Sequence, residues 1–160
     1  MTIKINDQIP EKNIKIASSD GPIPAKTSDV FNGEKVALFA VPGAFTPTCS
    51  AKHLPSFMEL KDELKAKGIT KIACLSVNDG FVMQAWANSQ DVKDEIIMIA
   101  DGSADFTKAL GLEMDASGFG MGIRSQRFAL VADNGKVTHL FVEAPGEYKV
   151  SSAQYMLENI

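Results

Sequence analysis

The sequence is poor in the residues that most often carry redox or metal chemistry. Only two cysteines, Cys49 and Cys74, and two histidines occur among its 160 residues. No Cys-x-x-Cys pair is present, which argues against a dithiol disulfide reductase. The four residues also lack the spacing of zinc ligands. We therefore expect neither a metal nor a cofactor.

Long apolar runs are also missing. No run approaches the roughly 20 residues that a membrane span requires, and residues 1–6 lack the apolar core of a signal peptide. A net charge of −4, with acids and lysines interspersed, argues against a nucleic-acid partner. We expect a cytoplasmic protein. In a reducing compartment two cysteines are more often catalytic, redox-active or simply buried than joined in a structural disulfide.

Arginine is scarce as well. Among 16 basic residues the only arginines are Arg124 and Arg127, three positions apart. A planar, permanently charged guanidinium forms paired hydrogen bonds that lysine does not. The two positions are therefore candidate site residues, although chance can also produce such a distribution.

The pattern of apolar residues predicts an α/β fold in one domain, residues 1–160. Continuous apolar runs are typical of strands covered on both faces, and helical patterns separate them. This alternation implies parallel strands with an antiparallel edge, which fits a thioredoxin-like fold: a central mixed sheet flanked by helices, with an N-terminal extended segment. A doubly wound fold is the competing interpretation. The predicted strands are 4–16, 36–41, 71–77, 95–100, 127–132 and 137–143, and the predicted helices are 28–33, a segment ending at 67, 81–89, 104–110 and 151–159.

The strongest chemical signal surrounds Cys49. Thr46 is a suitable N-cap and Pro47 suits the first helical position, so Cys49 falls in the first turn of a helix. Unpaired backbone N–H groups and the positive end of the helix dipole stabilise a thiolate there. Such a cysteine is nucleophilic at neutral pH. From position alone, the alternative is a small buried cysteine that follows a loop.

A proline interrupts the helical pattern six residues after Cys49. Pro55 lacks the N–H that an interior helical residue donates, so it kinks the helix. We expect Pro47–Leu54 to be a semi-independent turn that unwinds to release Cys49. The firmer helix would begin at Pro55, with an apolar stripe at every third or fourth residue. The members of this stripe are Phe57, Leu60 and Leu64.

His53 is compatible with a second class of function. It lies four residues after Cys49, on the same face if the turn is helical. A Cys–His pair is the core of a cysteine hydrolase or acyltransferase, but no motif marks the third residue or the oxyanion hole. The simpler interpretation is a histidine on the helix surface beside the pocket. A third class, a redox-regulated binding protein or chaperone, would oxidise at Cys49 without efficient turnover.

Several motifs together resemble a known family. Pro42-x-x-x-Thr46-x-x-Cys49 resembles the active-site motif of the peroxiredoxins. The longer resemblance is to the type II, peroxiredoxin-5-like subfamily and spans nearly the whole chain. It is carried by the segments Val41–Ser50, His53–Pro55, Ala73–Asp79, Phe81–Trp86 and Arg124–Phe128.

The resemblance implies a thiol peroxidase that reduces hydrogen peroxide and organic hydroperoxides in an antioxidant role. Cys49 would be the peroxidatic cysteine and become a sulfenic acid. Thr46 would hydrogen-bond the thiolate and the peroxide, and Pro42 would shield the pocket. Arg127 would stabilise the thiolate and the developing charge on oxygen. Arg124 is the lesser candidate, with a solvated or interface cation as its alternative role.

The resemblance also implies partners. Cys74 is a candidate resolving cysteine, although its apolar strand equally suits a core residue. If it does not resolve, glutathione, glutaredoxin or thioredoxin must attack the sulfenic acid. A homodimer packed near Phe45 and Phe81 is expected. The loop Ser117–Gly122 lacks the G-x-G-x-x-G spacing of a nucleotide site and better suits a subunit contact.

Overall fold

The computed structural model describes all residues 1–160 and contains nine strands and six α-helices. Seven strands form one sheet in the order β2-β1-β5-β4-β3-β8-β9, and β6 and β7 form a separate hairpin. The strands are β1 Asn13–Ile16, β2 Ile23–Lys26, β3 Lys35–Val41, β4 Lys71–Ser76, β5 Ile97–Ala100, β6 Glu113–Asp115, β7 Ile123–Ser125, β8 Phe128–Asp133 and β9 Lys136–Val142. The helices are α1 Thr27–Phe31, α2 Leu54–Glu59, α3 Lys61–Ala66, α4 Gly80–Ser89, α5 Asp105–Leu110 and α6 Ala153–Asn159.

The centre of the large sheet is parallel and its flanks are antiparallel. β3, β4 and β5 run parallel, whereas β8 pairs antiparallel with β3 and β1 pairs antiparallel with β5. The predicted mixed sheet flanked by helices, a thioredoxin-like arrangement, is confirmed. The doubly wound alternative is wrong, because antiparallel strands bound the parallel core on both sides.

Both faces of the sheet are covered. Along β3, Leu38 belongs to one apolar cluster and Phe39 to another, because successive side chains point to opposite faces. The two clusters contain 17 and 21 buried residues, so neither face is left to solvent. Cys49 and Cys74 both lie in the cluster of Phe39. The two sulfurs therefore share one layer of the molecule.

Local signals placed the hairpin and the last helix correctly. Asn134 and Gly135 have φ values of 48° and 79°, as a tight turn between β8 and β9 requires. Ser152 caps α6 by accepting a hydrogen bond from the N–H of Tyr155 at 3.1 Å. The pattern did not predict β2, β6 and β7, because these are only three or four residues long and β2 includes Pro24.

The helical segment after β3 is built in pieces. Residues Cys49–His53 form a wide π-turn, α2 follows, and a break at Leu60 precedes α3. The interruption predicted at Pro55 therefore takes the form of a wide turn just before it, which accommodates a residue that donates no N–H. Phe57 and Leu64 are fully buried and Leu60 is half-buried against the same cluster. The segment ends at Gly68, with φ of 94°, as predicted.

Candidate active site

Cys49 lies at the start of a helix that follows the carboxyl end of a central strand. β3 ends at Val41, and helical backbone begins at Pro47, as the sequence predicted. The N–H of Ser50 donates to the carbonyl of Thr46 at 3.0 Å, which puts Thr46 at the N-cap position. Cys49 is fully buried. Its sulfur therefore lies in the first turn, where backbone N–H groups and the helix dipole favour negative charge.

Two side chains donate hydrogen bonds to the sulfur of Cys49. The hydroxyl of Thr46 lies 2.7 Å from Sγ, and Nη2 of Arg127 lies 3.1 Å from it. The Thr46 hydroxyl is also 2.7 Å from the carbonyl of Gly43, so its single hydrogen serves one acceptor at a time. A sulfur that faces a hydroxyl and a permanent cation is in surroundings that stabilise a thiolate.

Arg127 brings its charge to Cys49 without an acidic partner. It precedes β8, the antiparallel neighbour of β3. The four ion pairs of the protein all use lysines, and none includes Arg127. Its second terminal nitrogen, Nη1, lies 2.8 Å from Nδ1 of His53. The guanidinium therefore bridges a neutral acceptor and the sulfur, and no carboxylate offsets its charge there.

His53 is not the helix-surface histidine that we expected. It is fully buried, because the segment after β9 packs over the π-turn. Nε2 lies 2.8 Å from the carbonyl of Ser151; since a carbonyl only accepts, Nε2 carries the hydrogen and Nδ1 accepts from Arg127. Burial, together with the charge of Arg127, lowers the pKa of His53 to about 3. The imidazole is therefore neutral at physiological pH.

This geometry argues against the cysteine hydrolase. Both ring nitrogens of His53 are engaged, one by Arg127 and the other by Ser151. A general base must reach the proton that it removes, and neither nitrogen is hydrogen-bonded to Cys49. His53 is linked to the sulfur of Cys49 only through Arg127.

Cys74 lies in the middle of the sheet. On β4 it is in register with Phe39 of β3 and Met98 of β5, and it is fully buried. It forms no disulfide with Cys49. Burial, and then the charge of Cys49, raises the pKa of the Cys74 thiol well above its ordinary value. The thiol form is therefore strongly favoured at this position.

Arg124 lies beside the loop that leads to Cys49. Its Nε donates to the carbonyl of Met121 at 2.9 Å, and its Nη1 lies 3.4 Å from the carbonyl of Pro42, which is half-buried. A Cβ on Gly43 would lie 2.9 Å from the same Nη1. A side chain at position 43 would require the guanidinium to shift. Arg124 thus holds the loop of Met121 against the loop that leads to Cys49.

Large aromatic side chains are exposed beside this loop. Phe45, with a left-handed φ of 66°, is 54% exposed and Phe81 is 72% exposed. Phe119, in the glycine-rich loop, is 86% exposed. The N–H of Ala44 donates to Oδ1 of Asn78 at 3.0 Å, which ties the loop of Phe45 to the residues just before Phe81. Phe45 and Phe81 therefore lie on two segments that this hydrogen bond connects.

The sequence did not reveal several supports of the site. Trp86 is fully buried and its indole N–H donates to the hydroxyl of Ser50, at 2.9 Å, beside Cys49. Asn78 belongs to the segment Ala73–Asp79 that carries the family resemblance. Its position at the carboxyl end of a strand next to β3 indicates that it lies near the loop before Cys49. Nothing local indicated that Ser151, 98 positions after His53, would bind its ring.

Comparisons with known proteins show the family of this chain. The Redoxin family model matches residues 4–157. Peroxiredoxin-2B of Arabidopsis thaliana is 46% identical over 157 residues, covering 98% of this chain and 97% of its own. The structure of reduced Prx3 from Vibrio vulnificus in complex with hydrogen peroxide has a TM-score of 0.93 and 52% identity, with 98% of each chain covered. Peroxiredoxin 5 from Alvinella pompejana has a TM-score of 0.85 and 36% identity, with 98% of this chain and 96% of its own covered.

The fold and the family model define the class as a redoxin with a thioredoxin-like sheet. Within that class the chain belongs to the peroxiredoxins of the type II, peroxiredoxin-5-like group, and it is a thiol-dependent peroxidase. Its substrates are peroxides and its reductants are thiols. None of its helices has the length and apolar content needed to cross a membrane.

Proposed function

We propose that Cys49 is the peroxidatic cysteine. The observation that carries this proposal is the pair of donors, Thr46 and Arg127, at 2.7 and 3.1 Å from its sulfur. The thiolate attacks the terminal oxygen of a hydroperoxide, so an S–O bond forms while the O–O bond breaks. The leaving alkoxide or hydroxide takes a proton and departs as an alcohol or water. Cys49 is left as a sulfenic acid.

Thr46 and Pro42 would shape the pocket around the peroxide. Because the Thr46 hydroxyl reaches both Sγ and the carbonyl of Gly43, it is able to reorient and donate to a peroxide oxygen. Pro42 is half-buried, and Arg124 holds its carbonyl. A proline ring in this wall donates no hydrogen bond and keeps water from the sulfur.

Arg127 would stabilise the charge that moves from sulfur to oxygen. Negative charge lies on Sγ before the reaction and on the departing oxygen afterwards. A cation fixed 3.1 Å from the sulfur, with its other arm held by His53, acts on both without reorganising. Stabilising the transition state in this way accelerates the step, whereas binding the substrate alone would not.

An external thiol would resolve the sulfenic acid. Cys74 is fully buried in a central strand and favours its protonated form, whereas an attacking sulfur must be a thiolate with access. We assign Cys74 to the core. The first external thiol forms a mixed disulfide with Cys49 and releases water; a second thiol releases Cys49 and leaves as a disulfide. Glutathione, glutaredoxin and thioredoxin are the candidate reductants.

The exposed aromatics support a homodimer. Phe45 and Phe81 are more than half exposed on segments joined by a hydrogen bond from Ala44 to Asn78. Large exposed apolar side chains on connected segments are typical of protein contact sites. We propose that Phe45 and Phe81 lie in the dimer interface and that each protomer is a single domain. We also assign the protein to the cytoplasm, where thiol reductants are abundant.

Turnover by cysteine variants tests the proposal. Cys49→Ser should abolish reduction of hydrogen peroxide and cumene hydroperoxide with dithiothreitol, while Cys74→Ala should keep the wild-type rate. Glutathione with glutaredoxin and thioredoxin with its reductase then identify the reductant. Oxidation of Cys49 without turnover by any of these thiols would favour a redox-regulated binding protein instead. Activity that survives Cys49→Ser would refute the assignment.

A further inference from the structure

We propose that Glu143 is a positioning residue for Cys49: its buried carboxylate folds segment 144–151 into a cap that fixes His53 and, through it, Arg127. This inference rests on the proposed roles of Cys49 and Arg127. Glu143 immediately follows β9 and does not touch the sulfur. Its effect would reach Cys49 through the residues between them.

The carboxylate of Glu143 organises the segment that follows it. One oxygen, Oε2, accepts hydrogen bonds from the N–H groups of Lys149, Val150 and Ser151 at 2.7, 2.9 and 2.9 Å. The same oxygen accepts from the hydroxyl of Ser151 at 2.7 Å. Glu143 is only 6% exposed. Since a buried carboxylate is costly unless hydrogen-bonded, four donors on one oxygen indicate a built site.

A chain of hydrogen bonds leads from this carboxylate to the sulfur. The carbonyl of Ser151 accepts from Nε2 of His53 at 2.8 Å. Nδ1 of His53 accepts from Nη1 of Arg127 at 2.8 Å, and Nη2 of Arg127 donates to Cys49 at 3.1 Å. The N–H of Glu143 also donates to the carbonyl of Arg127 at 3.0 Å. Glu143 therefore anchors Arg127 in two ways. Its main-chain N–H holds the carbonyl of Arg127, and its carboxylate acts on the guanidinium by way of Ser151 and His53.

The cap also places an aromatic ring against the cation. Tyr148 comes directly before the three N–H groups that Glu143 holds. Its ring packs edge-on against His53, with centroids 5.2 Å apart, and the guanidinium of Arg127 lies 5.9 Å from its centre. Its hydroxyl donates to the carbonyl of Lys52 at 3.3 Å. This ring covers Arg127 and keeps the cation near the sulfur rather than in water.

A purely structural role for Glu143 makes a different prediction. It would lower stability when lost but leave the reactivity of Cys49 in the folded protein unchanged. The titratable groups that face Cys49 are Arg127 and Cys74, with the neutral His53 behind the arginine. Of the two ionisable groups that face Cys49, only Arg127 is linked to Glu143. Loss of the negative charge of Glu143 would by itself shift the alkylation midpoint of Cys49 to lower pH, so a shift to higher pH reports displacement of the cation.

The experiment compares three variants in a Cys74→Ala background, so that one thiol reports. Glu143→Ala removes the acceptor, and Glu143→Gln keeps an amide oxygen for the four bonds, because only one oxygen accepts them. Glu147→Ala is the matched control, since Glu147 lies in the same segment and pairs only with Lys149 at the surface. Iodoacetamide alkylation against pH and the rate constant with hydrogen peroxide are measured, with circular dichroism to verify folding.

We expect Glu143→Ala to move the alkylation midpoint to higher pH and to lower the peroxide rate constant by about tenfold, as misplacement of a catalytic group does. Glu143→Gln should recover most of both, and Glu147→Ala should match the parent. A folded Glu143→Ala protein with the parent's profile would overturn the proposal. If that variant does not fold, Ser151→Ala, which deletes one of the four hydrogen bonds, is measured instead. A shift of its alkylation midpoint in the same direction supports the proposal, and the absence of a shift overturns it. A parent that does not react with peroxide would instead refute the proposed function.

Discussion

The two cysteines of this protein share one apolar layer yet have opposite surroundings. Cys49 and Cys74 are both fully buried and both belong to the same cluster. Around Cys49 a hydroxyl and a guanidinium donate to the sulfur at the start of a helix. Cys74 lies in the middle of a strand, in register with Phe39 and Met98.

The difference shows that burial alone does not define the surroundings of a thiol. Burial without donors raises the pKa of Cys74, because charge is costly in an apolar environment. The same burial around Cys49 strengthens the hydrogen bonds and the charge that reach its sulfur. What separates the two sites is the supply of donors, and the predictions below test this contrast.

Loss of the cation should have the largest effect. Arg127→Met should lower the rate constant with hydrogen peroxide by about 10³-fold, at the upper end for one preorganised donor. The reason is that this variant removes the only positive charge hydrogen-bonded to Cys49. Stopped-flow oxidation with excess peroxide measures it.

Two further variants control that result. Arg127→Lys keeps the charge but cannot bridge both His53 and Cys49, so an intermediate rate is expected. Arg124→Met, beside the loop that leads to Cys49, should lose much less. A larger loss for Arg124→Met than for Arg127→Met would contradict our assignment of the two arginines.

Loss of the hydroxyl should rank second. Thr46→Val keeps the shape of the side chain but removes the donor 2.7 Å from Sγ. We expect the peroxide rate constant to fall by about a hundredfold, as for other preorganised donors. Thr46→Ser should keep most of the rate. Equal rates for the valine and serine variants would show that the hydroxyl takes no part.

The neutral histidine predicts how stability depends on pH. His53 has a folded pKa of about 3, below the unfolded value of 6.5. Between these values only the unfolded chain binds the proton, so stability falls as pH falls, by roughly 1 kcal/mol per unit. His53→Gln offers a similar donor and acceptor without titrating. Urea unfolding from pH 7 to 4.5 should therefore show a smaller decline for His53→Gln, and parallel declines would contradict a neutral buried imidazole.

Loss of the second sulfur should have the smallest effect. Cys74→Ala leaves a small cavity in the sheet, which should cost roughly 1–2 kcal/mol of unfolding free energy. Turnover with an external thiol should stay unchanged. We would measure both by denaturant unfolding and by a peroxidase assay. Loss of turnover in a fully folded Cys74→Ala variant would instead indicate that Cys74 is the resolving cysteine.

Local patterns were sufficient for much of the fold and for the centre of the site. Continuous apolar runs located β3 and β4, and Asn134 with Gly135 located the hairpin turn. Thr46 and Pro47 placed Cys49 in the first turn of a helix. These features depend on residues close together in sequence, which is why the sequence was informative.

The parts that were missed depend on contacts between distant residues. His53 was expected at a surface, but Ser151, 98 positions later, covers it. Glu143 showed no sign of importance, because its role comes from N–H groups of a segment with no regular pattern. A short strand such as β6 is stabilised by its partner β7 and not by its own composition.

The most direct test of the central claim is to identify which sulfur reacts with peroxide. Fully reduced protein would receive one equivalent of hydrogen peroxide with dimedone, a trap for sulfenic acids. Peptide mass spectrometry would then map both cysteines. Our account predicts the dimedone adduct on Cys49 and a free thiol at Cys74. An adduct on Cys74, or a disulfide between the two cysteines, would contradict it.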